Sequence, residues 1–214
     1  MSGVTPQHDL AWKRLRETLF EGRLAPGQAV TVASLAADLG LGTMPVREAL
    51  RRVTAEGGFE ASPTRRLSVP DLSSHQLAAL IRARALLEPE ASVAALPHLS
   101  AAQVTDLQNL DEALSQAIRR GDRRDYMRLN FRFHFSLYRA DPGSVLVPLI
   151  ESLWLKTGPH MSRLFDSAPG FLREDRHQQA LIAIRQSDPE GLRRAIAGDI
   201  SDALEALSPV SALP

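Results

Sequence analysis

Two groups of polar side chains in this sequence are of types and spacings that do chemistry. The first lies in Thr43-Met44-Pro45-Val46-Arg47-Glu48-Ala49-Leu50-Arg51-Arg52. Val46, Ala49, Leu50 and Val53 recur at helical spacing, which leaves Arg47, Glu48, Arg51 and Arg52 on much of the remaining surface. Guanidinium forks on an open helix face match phosphate oxygens and the acceptor edges of bases. The second group is Asn130 and His134, four apart and so on one helix face. Phe131, Phe133, Phe135 and Leu137 are bulky and apolar, and packing them draws the Asn130/His134 helix into an interior. Imidazole nitrogen and amide oxygen are metal ligands, and they are equally the hydrogen-bonding partners found around core histidines. The residue types alone leave both readings open.

The elements around the first group place it. Leu35, Ala36 and Leu39 give a short helix an apolar face, and Gly40 and Gly42 punctuate its end. Thr43 is expected to cap the next helix, with Pro45 in its first turn. A short helix, a tight turn and a second helix with outward arginines is the geometry that lays a recognition helix into the major groove. Upstream, residues 9–21 form an amphipathic helix on Leu10, Leu15, Leu19 and Phe20, stopped by Gly22, and Pro26-Gly27 marks a turn. Downstream, Phe59-Glu60-Ala61 and Leu67-Ser68-Val69 alternate apolar and polar residues as a two-stranded ribbon does. Such a hairpin after a helix-turn-helix is a wing, and Arg65 and Arg66 at its tip suit phosphate or the minor groove. Pro70-Asp71 closes the segment.

From Ser73 onward the pattern is helical. Ser73 or Ser74 caps a helix reaching about Ala95, within which Pro89 is expected to kink or split the chain. Pro97-His98-Leu99 is a break. Ser100 opens a helix to Arg120, ended by Gly121, and Asp122 caps another to Arg139. Asp141-Pro142-Gly143 is a turn, and further helices are expected at 144–156, 160–166, 170–186 and 189–206. The fold class is mainly α: an N-terminal winged helix-turn-helix domain, 1–70, and an all-α domain of six or seven helices, 71–214. Trp154, with Leu149, Ile150, Leu153 and Leu155, reads as core or dimer interface. His8, His75, His98 and His160 show no partner pattern.

Composition narrows the function classes. The 214 residues are 44% apolar, so the chain is globular. It has no cysteine, hence neither a disulfide framework nor a thiolate ligand. No stretch has the length and apolarity of a signal peptide or a membrane span, so a cytoplasmic protein is expected. Net charge is zero. Residues 1–70 carry nine Lys or Arg against seven Asp or Glu, +2, and the remainder 16 against 18, −2. That balance argues against indiscriminate coating of nucleic acid and leaves room for a local basic face.

The chain resembles the GntR family of bacterial transcription regulators, in the FadR-like branch with an FCD C-terminal domain. The resemblance rests on Pro45-Val46-Arg47-Glu48-Ala49-Leu50-Arg51-Arg52 with Glu56-Gly57, and on Leu24-Ala25-Pro26-Gly27-Gln28 and Leu35-Ala36. In the helical part it rests on Arg84-Ala85-Leu86-Leu87-Glu88-Pro89-Glu90-Ala91, Asn130-Phe131-Arg132-Phe133-His134 and Glu174-Asp175-Arg176-His177. It implies a homodimer that binds double-stranded operator DNA, with Thr43, Arg47, Arg51, Arg65 and Arg66 as contacts. Gly42-Thr43-Met44 replaces a frequent Ser-Arg-Thr, Ala33 replaces a frequent basic residue, and the wing tip lacks its usual glycine. Fewer charged contacts mean weaker phosphate binding or a different operator.

The same resemblance implies a divalent metal, Zn, Ni or Mn, held by Asn130, His134, His177 and Asp199. Asp199 stands where the family commonly has a third histidine. It also implies a small organic acid effector bound by Arg84, Asn130, His134 and His177. For Arg84 the plainer alternative is an ion pair with Glu88, one helical turn on. The expected function is therefore a ligand-responsive regulator, more often a repressor in such families, and not an enzyme. The competing readings are a metal-dependent enzyme using the Asn130/His134/His177/Asp199 cluster, and a helical scaffold whose winged domain binds protein.

Overall fold

The computed structural model describes residues 6–61, 66–167 and 175–207. Cap chemistry starts most helices. Thr31 and Ser34 form a reciprocal cap on α2 (Val32–Leu39), Ser73 and Gln76 on α4 (Ser74–Ala95), and Ser100 and Gln103 on α5 (Ala101–Arg120). Asp122 accepts from the Asp125 N–H at the head of α6 (Arg123–Tyr138), and Asp175 from the Gln178 N–H at the head of α8 (Arg176–Gln186). Gly40 and Gly121 end α2 and α5 in the left-handed region, at φ 64° in both, where a side chain would be strained. The remaining helices are α1 (Gln7–Phe20), α3 (Thr43–Ala55), α7 (Leu146–Ser167) and α9 (Pro189–Leu207).

α1, α2 and α3 pack on one another, and beside them lies a three-stranded antiparallel sheet in the order β1 (Ala29–Val30), β3 (Leu67–Ser68), β2 (Glu60–Ala61). The helices from α4 to α9 form the bundle, with a 3₁₀ turn at Leu96–His98. Trp154, Tyr138, Phe133 and Phe135 fill its centre.

The two parts share a core. Phe20 of α1 stacks on Phe131 at 5.1 Å and Phe135 at 5.9 Å between ring centres. Arg16 of α1 reaches Glu151 of α7 at 3.0 Å and Glu56 at 3.3 Å. His160 of α7 lies 3.2 Å from the Pro70 carbonyl through Nε2, tying the bundle to the linker. Gly158 of α7 meets α1 backbone to backbone: a β-carbon there would stand 2.4 Å from the Leu19 carbonyl oxygen. Neither partner is a movable side chain. Gly158→Ala should therefore force α1 and α7 apart and cost about 1–3 kcal/mol, seen as a lower urea midpoint. An unchanged midpoint would mean the helices are free to slide.

Several local expectations are corrected. Gly42, not Thr43, is the N-cap of α3, with no side-chain cap bond, and Thr43 is the first helical residue. β1 was not foreseen, because two residues are too short to show alternation. Pro89 neither breaks nor ends α4. The helices expected at 144–156 and 160–166 are one, α7, which runs through Pro159. Packing overrides the lost N–H there, since Ile150, Trp154 and Leu155 before the proline and His160 and Ser162 after it are all buried. α8 is described from Arg176; the start expected at residue 170, and Glu174, fall outside the described residues. Trp154 is core, 1% exposed.

Candidate functional site

α3 buries Val46, Ala49, Leu50 and Val53, which leaves Thr43, Met44, Arg47, Glu48 and Arg51 in solvent. Among the described residues, Arg47 makes no ion pair or side-chain hydrogen bond. Arg51 is engaged by Glu48 at 2.7 Å, so its charge is partly cancelled. Arg52 faces elsewhere: it lies over the Trp12 ring at 3.8 Å and pairs with Glu56 at 3.4 Å, clamping α3 to α1. Arg66 is exposed beside β3, and Arg65 lies outside the described residues.

In the bundle, three of the four expected groups meet directly. His134 Nε2 lies 3.1 Å from Asp199 Oδ2. His177 Nε2 lies 3.7 Å from Asp199 Oδ1 and 3.4 Å from His134 Nε2. Two ligands about 2.0–2.1 Å from a tetrahedral ion are roughly 3.3 Å apart, so these separations suit one ion between them. Asn130, one turn before His134, borders the same small cavity as Asp199. Its Oδ1 is buried with no hydrogen-bond partner among the described residues. Two imidazole nitrogens and a carboxylate within reach of one point, with an orphaned amide oxygen on the cavity that the carboxylate also lines, are donors suited to a cation. The residues therefore fit a divalent metal.

The electrostatics agree. Burial pulls the His177 imidazole down to about 4, outweighing the opposing pull of Asp199, so near neutrality it presents a lone pair rather than a charge. Burial pushes the Asp199 carboxyl up, but His177, His134 and Arg84 bring it down to about 2, and it stays ionised. Behind His177, Asp111 Oδ1 stands 3.8 Å from Nδ1 while Oδ2 accepts from Gln178 at 2.6 Å.

A second buried network adjoins the first. Glu88, fully buried, accepts from Arg84 Nε at 2.6 Å and Trp154 Nε1 at 2.8 Å through Oε1, and from the Tyr138 hydroxyl at 2.7 Å through Oε2. Arg84 is thus the partner of Glu88, as the plainer reading had it. It lies 4.2 Å over the Trp154 ring and lines the same cavity as Asn130 and Asp199. That cavity is about 20 Å³, room for a single water. An organic acid has to widen it, and Met127 and Met161 in its wall are the adaptable side chains. Tyr138 was not singled out in the sequence. For Tyr138 the signal was there: it stands four residues after His134, as His134 stands four after Asn130.

A helix-turn-helix with an open arginine face, packed against a helical bundle with a buried polar site, defines a DNA-binding regulator with a built-in effector domain. Residues 10–69 match the bacterial regulatory proteins of the gntR family, and residues 79–202 match the FCD domain. The chain belongs to the GntR family of transcription regulators, in its FadR-like, FCD-containing branch. It is 32% identical to the HTH-type transcriptional regulator McbR of Escherichia coli over 86% of this chain and 84% of that protein. It is 27% identical to a protein of Paenarthrobacter nicotinovorans described as "Probable D-xylose utilization operon transcriptional repressor", over 88% and 83% of the two chains. The solved structure of E. coli McbR/YncC superposes with a TM-score of 0.87 at 29% identity, covering 97% of this chain and all of that one. The relatives and both matched domains are those of transcription regulators and not of enzymes. No helix among the described residues is long and apolar enough to cross a membrane.

Proposed function

We propose that this regulator is a repressor that binds a palindromic operator as a homodimer, through Thr43, Arg47 and Arg51 of α3 and Arg65 and Arg66 of the hairpin. A small organic acid, bound by Arg84 with Asn130, His134 and His177, controls it. A divalent metal, Zn, Ni or Mn, is held by Asn130, His134, His177 and Asp199. The observation that carries the DNA-binding half is α3 itself: its apolar side is spent on the core while Arg47 stands open in solvent. The name of the Paenarthrobacter relative supports the repressor role. The convergence of His134, His177 and Asp199 with the unpaired oxygen of Asn130 supports the metal. When bound, the metal supplies a fixed positive charge and a Lewis-acid position for an anionic oxygen. This chain's residues do the rest: Arg84 offers a guanidinium fork, and Trp154 and Ile200 exclude water around it.

Selection of genomic fragments by the purified protein tests the reading. It should retain a palindrome with half-sites about one helical turn apart, roughly 34 Å, and lose it steeply as salt rises. Retention of no fragment at low salt would sink the operator reading, and retention of a single unpaired half-site would sink the homodimer.

A further inference from the structure

The tautomer of His134 is decided two residues away. The Tyr138 hydroxyl has one proton, and gives it to Glu88 Oε2 at 2.7 Å. The same phenol oxygen lies 2.8 Å from His134 Nδ1. With its proton spent, that oxygen only accepts, so Nδ1 carries a hydrogen, and Nε2, 3.1 Å from Asp199 Oδ2, is the nitrogen left to face the site and any cation in it. Glu88 commits the phenol because both its oxygens are acceptors.

We propose that Glu88 and Tyr138 are positioning residues of the buried site, fixing His134 as its Nδ1–H tautomer so that Nε2 is delivered to the metal. The last step rests on the metal reading above; the tautomer does not. Burial of the network makes the arrangement stiff: His134, Tyr138 and Glu88 are each fully enclosed. Partners of this kind behind a ligating histidine set ring orientation and ligand basicity.

Glu88→Gln is the informative variant, because it keeps shape and reverses one hydrogen bond. Arg84 Nε and Trp154 Nε1 both point at Oε1, so the amide oxygen must stay there and the NH₂ group must face Tyr138. The phenol oxygen then accepts from the amide and turns its proton to His134 Nδ1. The imidazole hydrogen moves to Nε2, into the position the metal needs.

Long-range ¹H–¹⁵N NMR on metal-free protein should find a hydrogen on His134 Nδ1 in the wild type and none there in E88Q, whose ring hydrogen sits on Nε2 toward Asp199. Zinc titration against a chelating dye should find E88Q weaker by about 10- to 100-fold. Tyr138→Phe removes the acceptor without supplying a donor; it should lose the single tautomer and fall between the two. It also serves if E88Q does not fold. An unchanged tautomer in both variants overturns the relay. A changed tautomer with unchanged zinc affinity overturns its control of the metal. A wild type that takes up no zinc, nickel or manganese overturns the metal reading and the positioning role together, and the tautomer measurement then shows separately whether the relay exists.

Discussion

Replacing Arg47 by alanine should abolish selective operator binding while leaving the fold intact. The side chain is exposed on α3 and has no ion pair or side-chain hydrogen bond among the described residues, so its loss should move thermal stability by no more than about 0.5 kcal/mol. A guanidinium on a base edge is worth about 1–3 kcal/mol, and the proposed symmetric dimer would lose two, so affinity should fall by roughly 30-fold to 10⁴-fold. Arg51→Ala is the contrast. Arg51 already spends its charge on Glu48, 2.7 Å away, so its removal should cost much less and should act mainly on the salt dependence. Gel-shift titrations of both variants at two salt concentrations separate the cases. Equal losses would mean that α3 meets the backbone and reads no base.

Removing the proposed metal should produce the second large effect. A ligand bound to the native state alone stabilises by about 2.7 kcal/mol when present at a hundred times its Kd. For a chain of this size that is roughly 5–10 °C in Tm. Chelation should lower the melting temperature by that amount, and added zinc should restore it. His134→Ala should melt at one temperature with or without the chelator, because it removes the group at 3.1 Å from Asp199 and 3.4 Å from His177. It also leaves a void in a fully packed centre, so its stability should start below that of the metal-free wild type. If chelator and zinc move the wild type not at all, the four groups are a satisfied core and not a metal site.

Much of the fold was legible because local chemistry announced it. Cap residues at Ser73, Ser100 and Asp122, and glycines at 40 and 121, marked where helices start and stop. The helical period of Val46, Ala49, Leu50 and Val53 told which side of α3 would be spent on packing. Those signals act within a turn or two of chain, so a sequence carries them whole. The spacing of Asn130 and His134 was local too, and so was the Arg84–Glu88 pair.

What lay beyond reach depended on distant partners. Proline 159 reads as a helix break, yet α7 continues through it because both halves are buried against other helices. Gly158, beside it, carries no local sign that the α1 backbone packs against it without room for a side chain. That Glu88 would also collect Trp154, 66 residues on, and Tyr138, 50 residues on, has no mark in the chain. The meeting of His134, His177 and Asp199 at one point from three helices was expected only through the family resemblance, since no spacing within the chain sets it. Periodicity assigns a residue to a face of its own helix. Which faces then meet, and how close their polar atoms come, is decided by the joint packing of the whole bundle, where moving one side chain displaces its neighbours.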